Sequence, residues 1–136
     1  MYRRLFEEFL AGKDSLRVYQ GDKLVFASEE DGLLPLLEYI EKYVAGHRQV
    51  VMFDKIMGNA AALLSVKAHC CEVFNPLGSQ LAVKTLDRYG VKYHISEIVP
   101  YIQKPGQEEM CPMEMLSLDK TPEEFYEAVK RVMGRP

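Results

Sequence analysis

Apolar positions recur along this chain with two periods, and the switches between them mark its elements. Leu5, Phe6, Phe9 and Leu10 fall on one side of a helix over residues 2–11. Leu16 and Val18 alternate with Arg17 and Tyr19. A Gln20-Gly21-Asp22-Lys23 turn and a second run, Leu24 to Ala27, complete the pattern of a β-hairpin. Leu33, Leu36, Leu37, Ile40 and Val44 resume helical spacing, with Pro35 in the first turn and Gly46 as the stop.

Val50-Val51-Met52-Phe53 is an unbroken run of strand formers, as expected of a strand buried on both faces of a parallel sheet. Residues 59–66 are apolar almost all round and predict a buried helix. Cys70 to Phe74 is the next strand. Leu81, Ala82, Leu86 and Tyr89 form another helical stripe, closed by Gly90. Val91, Tyr93 and Ile95 then alternate with Lys92 and His94 as a half-buried strand. Pro100, Pro105, Gly106 and Pro112 make residues 96–120 mostly loop, with one short strand at most. Thr121-Pro122-Glu123-Glu124 opens a capped helix whose buried stripe is Phe125, Ala128, Val129 and Val132.

A hairpin followed by β-α-β-α-β predicts an α/β fold: a three-layer α/β/α sandwich with a mixed sheet, in one domain over 1–136. Hydrophobic residues are 48% of the chain, enough for a real core without staples. A net charge of −3 gives no global attraction to nucleic acid or to an anionic membrane. No apolar run nears the ~20 residues that span a bilayer. The first residues are basic and then acidic, unlike a signal peptide, so a cytoplasmic protein with an intact N-terminus is expected. Three cysteines without regular spacing predict free thiols rather than a disulfide framework.

Open sheets bind ligands beyond the carboxyl ends of their parallel strands. Here those ends are two expected turns, Asp54 to Asn59 and Asn75 to Ser79. In each, small residues precede a helix whose unpaired N–H groups favour anionic or polar ligands. Gly58 and Gly78 allow close approach. Asn59 and Ser79 are either ligand contacts or simple helix caps. Asp54 and Lys55 read either as an acid/base group with a tuning charge or as a surface ion pair. Cys111 in Cys111-Pro112-Met113-Glu114 reads as a nucleophile or redox thiol, or else Asp54 or Glu114 reads as a base. The alternative is an apolar strand segment from Met110 to Leu118 with Glu114 exposed. His69-Cys70-Cys71, even with Cys111, lacks the paired spacing of a zinc site, so no metal or other cofactor is expected. His47 and His94 read as a loop residue and an exposed strand residue.

Asp54-Lys55, Gly58 with Ala60-Ala61, and Cys111-Pro112-Met113-Glu114 together resemble the prokaryotic family domain of unknown function 1893, placed in the cytidine-deaminase-like superfamily. The likeness covers most of the chain and implies the three-layer deaminase fold and a homo-oligomer. Zinc deaminases carry H-x-E or C-x-E at one helix start and P-C-x-x-C at the next. Here the first reads Gly58-Asn59-Ala60-Ala61-Ala62 and the second Pro76-Leu77-Gly78-Ser79-Gln80, so the resemblance does not carry zinc chemistry over. The expectation is a zinc-free deaminase-like domain. It would bind a small polar or anionic ligand, nucleotide-like ones included, through Asp54, Lys55, Gly58, Asn59, Gly78 and Ser79. A metal-independent enzyme using Asp54, Glu114 or Cys111 and a purely structural homo-oligomer are the alternatives.

Overall fold

The computed structural model describes residues 2–135. Helix α1 (Arg3–Ala11) leads into the expected hairpin, β1 (Leu16–Gln20) and β2 (Lys23–Ser28), which turns through Gly21 at φ 61°. Helix α2 (Leu34–Tyr43), with Pro35 in its first turn, runs on through one 3-10 turn at Val44–Gly46. Next come β3 (Val50–Asp54), the two-residue β4 (Ile56–Met57), α3 (Asn59–Lys67) and β5 (Cys70–Ser79). Helix α4 (Gln80–Arg88), β6 (Lys92–Val99), α5 (Pro112–Ser117) and α6 (Pro122–Val132) complete the chain.

The sheet has six strands. β1 is antiparallel to both β2 and β3, while β3, β5 and β6 run parallel. β6 follows one side of β5 along almost its whole length, so β3 and β4 share the other side. Alternation sorts the side chains. Leu16, Val18, Val50, Met52 and Val73 face the larger core under α2, α3 and α6. Tyr19, Val51, Phe53 and Phe74 face α1, where Phe6 and Phe9 pack ring against ring with Phe53 at 5.4 and 5.8 Å. β3 is therefore buried on both faces, and the fold is the expected three-layer arrangement. Helix α3 lies in the centre of the larger layer, buried from Asn59 to Ser65, as its all-round apolar sequence requires.

Two expectations are corrected. Asn75 to Ser79 is not a turn: β5 continues through it and passes directly into α4. Pro76 has no N–H, and the ladder skips it, resuming at Leu77 opposite Ile56 and Glu97. The partner side breaks at the same level, at Lys55, and the Asn75 side-chain amide bridges the gap by donating to the Asp54 carbonyl at 3.0 Å. The Asn-Pro and Gly-Ser pairs are turn signals that here mark an irregularity inside a strand.

The second correction is in the loop. Met110 to Leu118 is not a strand segment with Glu114 exposed. Pro112 opens a helix, α5, and Glu114 is 2% exposed. The segment before it is a tight hairpin, held by the Gln103–Met110 bridge and by Cys111 N–H donating to Ile102 O at 2.8 Å. The final helix starts and caps as predicted and buries Phe125 and Val129, but Val132, expected in its buried stripe, is 60% exposed at the helix end. Thr121 Oγ1 accepts from Glu124 N at 3.1 Å, and Glu124 Oε1 accepts from Thr121 N at 2.9 Å.

Candidate functional site

A cavity of about 470 Å³ opens at the carboxyl ends of β3 and β4. Its floor is the first turn of α3, through Gly58, Ala60 and Ala61. One wall is the 100–114 segment, through Ile102, Cys111, Met113 and Glu114. The opposite wall comes from Lys13 to Ser15 before β1 and from Glu29 to Leu33 before α2. Asp54, Lys55 and Ile56 stand between them.

Asp54 ends a strand that is otherwise sealed, and its carboxyl is partly buried at the cavity. One oxygen accepts a long bond from Ile56 N at 3.4 Å. Among the described residues no ammonium or guanidinium pairs with it. Desolvation pushes its pKa up from 3.8 to about 7, against a smaller lowering by the Ile56 and Lys55 backbone N–H groups. Of the two readings of Asp54 and Lys55, the surface ion pair does not form. Lys55 Nζ turns to α1, donating to Gly12 O at 3.3 Å and lying 4.8 Å from the Phe9 ring centroid.

Glu114 crosses from α5 to close the start of α3. Its Oε1 accepts from Asn59 N at 2.5 Å and its Oε2 from Ile102 N at 2.9 Å. A carboxylate at this point satisfies an orphan helix N–H and meets the positive end of the helix. Gly58 is needed beneath it: a Cβ there would lie 2.9 Å from Glu114 Oε1 and 3.0 Å from Ile102 Cγ1. Asn59 is fully engaged. Its Nδ2 donates to Ser117 Oγ at 3.0 Å and to Ser117 O at 3.3 Å, and its Oδ1 accepts from Thr85 Oγ1. Ser117 Oγ in turn donates to Glu114 O. The two short motifs, fifty-five residues apart, thus form one buried polar joint between α3, α4 and α5.

The structure brings Asp54, Lys55, Gly58, Cys111 and Glu114 to one cavity. Asn59, Gly78 and Ser79 stand outside its lining. Ser79 is fully buried and its Oγ accepts from Ala82 N at 3.1 Å, so it caps α4. Gly78 is a packing glycine, since a Cβ there would meet Ile95 Cδ1 at 2.9 Å. Each helix start expected to hold an anion thus has one N–H taken by the protein's own side chain, Asn59 N by Glu114 and Ala82 N by Ser79. Cys111 is partly buried at the start of α5, Cys70 is buried and Cys71 exposed, and all three are free. His69, at φ 62°, turns the chain between α3 and β5.

These residues do not fit zinc. The α3 start offers a glycine and an already bonded asparagine, and the α4 start a capping serine. Among the described residues no three His, Cys, Asp or Glu side chains converge. None of their helices is long and apolar enough to cross a membrane. Sequence reasoning missed the wall from Lys13 to Ser15 and from Glu29 to Leu33. Nothing local marks those loops, because hairpin geometry alone swings both to the end of β3.

A family model described as a domain of unknown function, DUF1893, matches residues 5–133. The crystal structure of a DUF1893 family protein from Thermotoga maritima is similar over 96% of this chain and 88% of that one. It is 27% identical, with a TM-score of 0.86. No curated protein matches.

Proposed function

This chain belongs to the DUF1893 family, and we propose that its cavity is a small-molecule site in which Asp54 exchanges a proton with a bound polar ligand. The observation that carries this reading is the placement of Asp54. Its carboxyl lines a cavity of metabolite size, has no cationic partner there, and titrates near about 7 because of desolvation. A carboxyl poised near neutrality both accepts and gives a proton at physiological pH. Of the other catalytic candidates, Glu114 is tied to two backbone N–H groups and positions the α3 start and the loop. Cys111 reaches the same cavity from the end of the 102–111 hairpin. The reading is of a deaminase-like layer order whose crevice works without zinc.

The test is a ligand screen by thermal shift and by amide NMR, comparing the natural protein with Asp54→Asn. Support is a ligand whose resonance changes map to Gly58, Ala60, Ile102 and Cys111 and whose affinity drops at least about tenfold in the variant. Ligands that bind elsewhere, or that ignore Asp54, defeat it.

A second reading, self-association, is favoured by one observation: β6 leaves an eight-residue edge with no partner strand among the described residues, and Ile98 on it is 46% exposed. The apolar stripes of α1 and α6 are partly used within the chain, by Phe9 and by Phe125 and Val129, while Leu10 and Val132 stay exposed. Sizing chromatography at micromolar concentration tests it, with a clean monomer as the contrary result.

A further inference from the structure

We infer that the cavity selects a small organic cation, an amine or amidine with an apolar body, over anions such as phosphate or a carboxylate. The inference rests on the proposed small-molecule site and concerns which class of ligand enters it. Helix starts at strand ends suit anions, but here a carboxylate, Glu114, already takes the first N–H of α3, and Ser79 caps α4. The α3 start still presents Ala60 and Ala61 to the cavity, with the Glu114 carboxylate beside them in its lining.

The charges at the cavity point the same way. Five carboxyls line it, Asp14, Glu29, Asp31, Asp54 and Glu114, with two ammonium groups, Lys13 and Lys55. Several are already matched. Asp14 holds Arg17 Nε at 2.6 Å, Glu114 holds two N–H groups, and Lys55 is bonded to Gly12 O. What remains is Asp54 inside and Glu29, Asp31 and Lys13 exposed at the rim. An entering anion meets an excess of negative charge, the Glu114 carboxylate at the α3 start included. An entering cation gains one partner at depth and a favourable field at the mouth. Most of the remaining lining is apolar, from Leu33, Ile56, Ala61, Ile102 and Met113, with Ser15 and Gln103 as neutral polar groups, and suits a hydrocarbon or flat aromatic body. An amidinium places two N–H groups on one carboxylate, the strongest neutral-pH match for a lone Asp.

The experiment uses three probes of one shape: benzamidinium, neutral benzamide and benzoate, titrated into the full chain by amide NMR. Benzamidinium is expected to shift resonances of Gly58, Ile102 and Cys111 and to bind at least about tenfold tighter than benzoate. It should tighten as pH rises through about 7, as the Asp54 carboxyl ionises. Asp54→Asn should remove most of that preference while leaving the fold intact. If benzamide or benzoate occupies the cavity in an Asp54-dependent way and benzamidinium binds no tighter, the cation inference falls and the site reading stands. If none of the three perturbs the cavity, both fall.

Discussion

The backbone N–H of Asn59 donates to Glu114 Oε1, joining the first residue of the central helix to a carboxylate on a short helix that the sequence places in a loop. The bond is buried and charge-assisted, and the other carboxylate oxygen takes Ile102 N–H. One side chain therefore holds the cavity floor to its wall.

Glu114→Ala is expected to destabilise the fold by about 2–4 kcal/mol, since one buried and one part-buried donor lose their acceptor. Glu114→Gln retains one acceptor and should lose less. Equilibrium denaturation measures both, and a Glu114→Ala variant within about 0.5 kcal/mol of the natural protein contradicts the joint.

Gly58→Ala should cost about 1–3 kcal/mol, because the new Cβ meets Glu114 Oε1 at 2.9 Å. The cost should shrink when Glu114 is also alanine. A double-mutant cycle reads this directly: additive effects mean that the contact is absent.

Asp54 gives a pH dependence whose sign is fixed by its raised pKa. The folded protein keeps the proton to about pH 7, whereas the unfolded chain releases it near 3.8. Stability from this group is therefore full below about pH 4 and declines as pH rises to about 7, where the charged carboxylate sits in a poorly solvated place. Asp54→Asn should remove that decline, gaining at most about 4 kcal/mol at pH 8 by the rule of about 1.4 per unit, less whatever the open cavity solvates. Parallel stability curves for the two proteins between pH 4 and 8 contradict the assignment.

The three thiols should differ in access. Exposed Cys71 reacts first with a neutral thiol reagent, Cys111 more slowly, and buried Cys70 only on unfolding. A cavity ligand should protect Cys111 and leave Cys71 unchanged, as peptide mapping of the labelled protein would show. Protection of Cys71 alone would place the ligand elsewhere.

Ser79→Ala should lose about 1 kcal/mol, the usual value of a helix cap, through Ala82 N–H. It should not alter ligand affinity. A selective loss of binding with unchanged stability would return Ser79 to the site.

Much of this was legible from the chain. Period and composition determined the hairpin, the doubly buried β3, the all-round apolar α3 and the capped α6, because each depends on side chains a few residues apart. Asp54 and Gly58 were also legible as positions at the end of the sheet where the cavity lies, since a polar residue closing a buried strand and a glycine opening a buried helix both break the local pattern. The tertiary structure alone decided which helix starts are open. Glu114 reaches Asn59 across fifty-five residues, and no local period records that a carboxylate will fill the positive end of α3. It also decided the fate of Asn75 to Ser79. Turn-forming residues stay in a strand there because β6 on one side and β3 with β4 on the other supply the ladder that their own propensities oppose. The sequence sets what each segment prefers by itself. The charge around the cavity is set by which side chains the fold brings together and which it has already paired.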